Sequence, residues 1–182
     1  MIDRKEALTL IKRYTKSENL IQKSLMVEAI LKKIAKILGR NEELWGLTGL
    51  LHKIDYEYTI EEPEKRGIFA AQLLEGLLPE NCINAIKSIN YQHLDNVPST
   101  SLDKTLIATV AVTDFILDIV HSSSLNNFSG SDLTMLKNKL YDSDHTNINI
   151  RKRILLCNDV GINILDFLQI SIDTLKEVSD KI

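Results

Sequence analysis

Apolar residues recur at helical spacing along nearly the whole chain, and no alternation of the kind that marks strands persists anywhere. Ala7, Leu10, Ile11 and Tyr14 predict a first short helix, with Asp3 placed to cap it. Asn19 opens a long second helix that stops at Gly39 and carries Leu20, Val27, Ile30, Leu31, Ile34 and Leu38 on one face. Asn41 caps a third, striped by Leu44, Leu47, Leu51 and Ile54. Pro63 suits the first turn of a helix running through Leu77, and Pro79 begins another that reaches about Tyr91. A strongly apolar helix follows over 102–120, then the polar stretch SSSLNNFSGSD, which reads as a mobile linker. Two further helices, near 149–160 and 163–180 and separated by Gly161, finish the chain. The expected fold is all-α: one domain spanning 1–182, a compact bundle of about seven to nine helices.

Composition narrows what such a bundle does. Hydrophobic residues make up 44% and charged residues 26%, an ordinary globular balance, and the net charge of −3 supplies no field toward a nucleic-acid polymer or an anionic membrane. Cys82 and Cys157 form neither a metal-binding spacing nor a disulfide framework, which points to a reduced, cytoplasmic protein. The opening MIDRKEALTLIKRY lacks the apolar run of a signal peptide. The apolar segment Leu106–Val120, interrupted by Asp114 and Asp118, is too short to span a bilayer and reads as a buried helix.

A few polar residues fall where the pattern expects apolar ones. Lys23 lies one turn before Val27, in line with Ile30 and Ile34, so it must snorkel outward, find a carboxylate, or face a polar cavity. His52 and Asp55 share a helical face if the third helix continues, and Asp55 would then orient the imidazole as an acid–base partner. Lys53 would point about 100° away from His52 on the same helix. Asp114 and Asp118, one turn apart on the apolar helix, either pair with Lys23 or Arg66 or sit on an exposed seam. No phosphate loop, nucleophile elbow, zinc spacing or dinucleotide fingerprint is present.

The segments NLIQKSLMVEAI, ELWGLTGLLHKIDYE, PEKRGIFAAQLL, AIKSINYQH and LDKTLIATVAVTD, in that order, resemble a small HDIG-type HD-domain protein of the metal-dependent phosphohydrolase superfamily. The resemblance spans nearly the whole chain, through RKRILLCNDVGINILDFLQISIDTLKEV, and implies the helical HD-domain fold. It also implies a lost metal centre. Of the expected ligands only the dyad histidine, His52, remains; Lys53 stands for the dyad aspartate, Lys23 and Arg66 for two histidines, Ile89 for a third, and Val110 for the late aspartate. Glu28, Asp55, Tyr56, Glu64 and Lys65 keep surroundings similar to the family's. His93 and Asp114, each four residues beyond a lost position, are the only candidates for displaced ligands, and the nearby cations would repel a dication.

These features set the functional expectations: no metal, no cofactor, and an anionic small molecule such as a nucleotide or phosphorylated metabolite held by Lys23, His52, Lys53 and Arg66. Lysine and arginine hold phosphoryl oxygens but cannot generate a metal-bound hydroxide. The alternatives are a metal-independent enzyme using His52 and Asp55, with Lys23 or Arg66 stabilising an anion, and a structural or partner-binding protein whose pocket has closed over a Lys23–Asp114 pair.

Overall fold

The computed structural model describes residues 1–122 and 133–179, and among these it contains helices, turns and no strand. Nine α-helices follow in order: α1 Arg4–Tyr14, α2 Glu18–Ile37, α3 Glu42–Leu51, α4 Ile68–Leu74, α5 Glu80–Ser88, α6 Ser101–Ser122, α7 Leu133–Tyr141, α8 Ile148–Ile154 and α9 Ile164–Ser179. The all-α expectation therefore holds.

Local chemistry explains most boundaries. Asp3 and Glu6 form a reciprocal capping box at the start of α1, each side chain accepting from the other's amide. Asn41 caps α3 by accepting from the Leu44 amide. The start of α2 is set by Ser17, whose hydroxyl accepts from Leu20, rather than by Asn19, so the helix begins two residues earlier than expected; both residue types are good caps.

Two expectations need correction. The helix expected from Pro63 to Leu77 is broken: Pro63–Lys65 form only a 3-10 turn, Arg66 is extended, and Gly67 adopts φ +88° before α4 begins. A side chain at Gly67 would press on the Lys87 backbone at 3.0 Å, so glycine is needed both for its conformation and for its lack of bulk. The apolar helix is also longer than expected. At 22 residues α6 is long and apolar enough to cross a membrane, yet most of it is buried within the protein. It packs against α2, α5, α8 and α9, with Leu106, Ala108, Val112 and Ile116 fully enclosed, which is the environment of a core helix.

Helix α7 was not foreseen, because polar residues flank its short apolar set of Leu133, Leu136 and Leu140. The expected linker falls largely on 123–132, outside the described residues. The most extensive pairing is α2 with α3, and it is made possible by small residues. A methyl group on Gly49 would lie 2.8 Å from Leu31 and 3.1 Å from the Glu28 backbone, so glycine lets α3 approach α2 closely. This close pairing places the end of α3 beside Lys23 of α2 and Asp114 of α6.

Candidate functional site

Helix α3 ends at Leu51, and this early stop determines the site. His52 is its C-terminal cap, and residues 52–55 turn before the 3-10 segment Tyr56–Thr59. The continuing helix on which the expected directions of His52 and Lys53 depended is therefore absent. Lys53 swings to the carboxylate of Asp114, 3.6 Å from Oδ2, while Lys23 donates to Oδ1 of the same carboxylate at 2.9 Å. Two lysines, one from α2 and one from the turn after α3, thus clamp a single aspartate. Of the three carboxylates on α6, Asp103 accepts from the Ser99 and Thr100 amides at the helix start, Asp114 takes the two lysines, and Asp118 is exposed.

The clamp lies at the edge of the core. The side chains of Lys23, Lys53 and Asp114 are 24%, 16% and 39% exposed. Burial works to raise the Asp114 carboxyl, but the charge of Lys53 and the hydrogen bond and charge of Lys23 together carry it below its ordinary value. Burial pushes the Lys53 ammonium down; Asp114 opposes this, and Lys23 and Arg66 add to it. Lysine 53 is therefore the strained member: its positive neighbours outnumber its one counter-charge.

Arg66 completes the cationic set without a carboxylate of its own. Its Nε donates to the Thr59 hydroxyl and its Nη2 to the Thr59 carbonyl, both at 3.3 Å, and its guanidinium lies 4.3 Å over the Tyr56 ring. Lys53 approaches the same ring at 5.9 Å. Thr59 in turn donates to the Asp55 carbonyl at 2.9 Å. Tyr56 and Thr59 are the members of the site that no charge pattern in the sequence singled out as its supports; both are neutral, and their role depends on the turn geometry.

His52 is 3% exposed, and its Nδ1–H donates to the Gly49 carbonyl at 2.6 Å. That bond assigns the tautomer and leaves Nε2 with a lone pair, buried and without a partner. Burial, reinforced by the charge of Lys53, lowers the imidazole pKa to about 3, so the ring is neutral at physiological pH.

The expected His52–Asp55 pair does not form. Asp55 Oδ2 accepts from the amides of Gly67 at 2.7 Å and Ala70 at 3.0 Å, so this carboxylate caps α4 across the fold. Its Oδ1 is buried without a partner. Burial raises the Asp55 pKa, and the amide bonds and Arg66 only partly offset that. The same arrangement corrects a second expectation: the first-turn amides beside Arg66, which would favour an anion, are already used by Asp55. The turn that holds Arg66 is pinned by Asn90, which donates to the Pro63 and Arg66 carbonyls.

The residues present do not suit the metal centre that the HD-domain resemblance implies. Among the described residues there is no group of three or more His, Cys, Asp or Glu side chains able to hold a metal ion. Asp114, the displaced-ligand candidate on α6, is occupied by two ammonium groups, and His93 is exposed on the turn after α5. His52 Nε2, a buried nitrogen without a partner, has the charges of Lys53 and Asp114 nearby, and that aspartate is already held by the lysines.

A second buried carboxylate lies on the opposite part of α2. Glu28, 5% exposed at its side chain, accepts from Arg4 in a two-pronged pair at 2.6 and 2.9 Å, and from Lys32 at 3.4 Å. Lys32 also reaches Glu43 at 3.2 Å. The chain matches no protein-family model, no curated protein and no solved structure.

Proposed function

We propose that this chain is a degenerate HD-domain-like protein, a pseudoenzyme of the phosphohydrolase superfamily that binds a phosphorylated or otherwise anionic small molecule between Lys23, Lys53 and Arg66. The observation that carries this reading is an imbalance of charge. Two lysines share one carboxylate, and the adjacent arginine hydrogen-bonds only to neutral groups, while Asp55, whose charge it feels, is already held by two amides. Holding cations in a partly dry site is costly, and a dianion offsets that cost better than Asp114 alone. In this reading Asp114 is an internal stand-in for the ligand, half-open to solvent and displaceable. The order of family-like segments, with cations at three of the former ligand positions, supports the same conclusion. A cytoplasmic location belongs to the proposal and rests on two buried, free cysteines.

A second reading has an observation of its own. The 2.9 Å bond between Lys23 and Asp114 is what a closed structural pocket would contain. A metal-independent enzyme built on His52 and Asp55 is supported less, because nothing orients the imidazole as a base toward that aspartate. Calorimetric titration with pyrophosphate and a panel of nucleotides separates the two leading readings. Anion binding predicts that Asp114→Asn tightens affinity, by about tenfold for one relieved competitor, and that Lys53→Ala/Arg66→Ala abolishes it. Undiminished binding in the double variant, or no binding by either the wild type or Asp114→Asn, would overturn the proposal in favour of the closed pocket.

A further inference from the structure

We propose that the site selects an oxyanion carrying a hydrogen-bond donor beside its charge, such as hydrogen phosphate or a phosphoester with an adjoining hydroxyl, through the lone pair of His52 Nε2. The inference rests on the anion-binding reading above and adds the chemistry that discriminates among anions.

The argument begins with the backbone. The Gly49 carbonyl holds the proton on Nδ1, so Nε2 can only accept. A buried acceptor with no partner costs free energy in the ligand-free protein, and such a group usually has a partner in some functional state. The ring edge bearing Nε2 is the one turned away from the α3 carbonyl. His52 directly precedes Lys53, and the charged groups acting on the ring are Lys53 and Asp114, so the imidazole lies beside the lysine clamp. Neither lysine bonds to Nε2, since both are directed to the Asp114 carboxylate.

A ligand that displaces Asp114 then meets two kinds of group. The ammonium and guanidinium groups offer only donors, which suit any oxyanion. His52 offers only an acceptor, which suits an oxyanion that still bears a hydroxyl and repels one that does not. Cations supply affinity and the imidazole supplies choice. This division resembles other sites in which a buried polar group rejects a close analogue lacking its partner.

Inorganic phosphate and sulfate are the probes. In slightly alkaline solution phosphate is chiefly the hydrogen phosphate dianion; sulfate has the same charge and shape but no proton. Titration calorimetry at matched ionic strength is expected to show phosphate binding the full-length protein about tenfold more tightly than sulfate. In His52→Ala the ratio is expected to fall to near one, with sulfate affinity retained because the cations remain. A parallel measurement on the wild type guards against misfolding of that variant: the 15N signal of His52 Nε2 is expected to shift on adding phosphate and to stay in place on adding sulfate. Equal binding of both anions by the wild type would overturn the selection while leaving the anion site standing. A phosphate preference that persists in His52→Ala, or an Nε2 signal unmoved by phosphate, would overturn the role of His52. Binding of neither anion would remove the site itself.

Discussion

Two buried or half-buried carboxylates, Glu28 and Asp114, each take two cations, and they differ in what surrounds them. Around Glu28 the charges close: Arg4 and Lys32 supply two positive charges, Glu28 and Glu43 two negative. Glu28 itself is nearly sealed, and Arg4 meets it in the paired geometry that guanidinium and carboxylate prefer. Around Asp114 the charges do not close. Lys23 and Lys53 face one carboxylate that is 39% exposed, and Arg66 adds its charge beside Lys53. A balanced cluster ties α1, α2 and α3 together and asks for nothing more. An unbalanced one, at the edge of the core, keeps a surplus of positive charge.

The largest expected effect tests the balanced side. Glu28→Gln keeps the shape of the side chain but leaves Arg4 and Lys32 facing an amide, and should cost about 2–3 kcal/mol in urea unfolding. Adding phosphate should not restore that stability. If it does, the Glu28 cluster is also an anion site and the contrast fails.

Acid should reveal His52 next. Burial, then Lys53, hold its folded pKa at about 3 against an ordinary 6.5, so the unfolded chain takes up a proton that the folded chain refuses. Stability is thus fully present above pH 6.5 and falls as pH drops toward 3, by about 2 kcal/mol at pH 5. Asp55, whose pKa is raised chiefly by burial, acts with the opposite sign: its protonation in acid favours the folded state. The lowered Asp114 contributes stability that is present above its ordinary 3.8 and lost only below it. Chemical denaturation across this range should therefore be flatter for His52→Phe than for the wild type; parallel curves would contradict the assignment.

How much of this was legible in the sequence varies by element. The caps at Asp3 and Asn41 and the core face of α2 follow from local rules, because a side chain two or three residues away satisfies the amide in question. Lys23 and Asp114 stand out in the sequence as charges on apolar faces, which makes their contact one of the expected outcomes, whereas Lys53 and Arg66 enter the expected anion site only through the family resemblance. The break at Gly67 and the capping of α4 by Asp55 were not legible, since the cap arrives from a residue distant in the chain and displaces the pairing that spacing alone suggests. The position of Lys53 was missed for a related reason. Its direction depends on where α3 stops, and boundary residues are the least determined by periodicity.

The unbalanced side predicts a smaller loss with a different remedy. Asp114→Asn should cost about 1 kcal/mol at low ionic strength, the modest value expected for a half-exposed pair, and phosphate should recover it in a thermal melt. A loss that phosphate leaves untouched would align Asp114 with Glu28 and favour the closed pocket.

The smallest effect concerns the arginine. Arg66→Lys keeps the charge but gives up the stack on Tyr56 and the fork to Thr59, and should lower stability by only about 0.5 kcal/mol. Its effect on phosphate affinity should be larger than that on folding. The reverse ranking, read from the same melts and titrations, would make Arg66 a structural prop.

Gly49 joins the two halves of this contrast. One face of it touches the Glu28 backbone, and its carbonyl holds the His52 proton. The absence of a methyl group at one position thus sets the spacing of two helices, while the same residue's carbonyl decides which nitrogen of the neighbouring imidazole carries hydrogen. Any sequence change that pushes α3 away from α2 would carry His52 and Lys53 away from Lys23, and the geometry of the cluster would drift without a single charged residue having been altered.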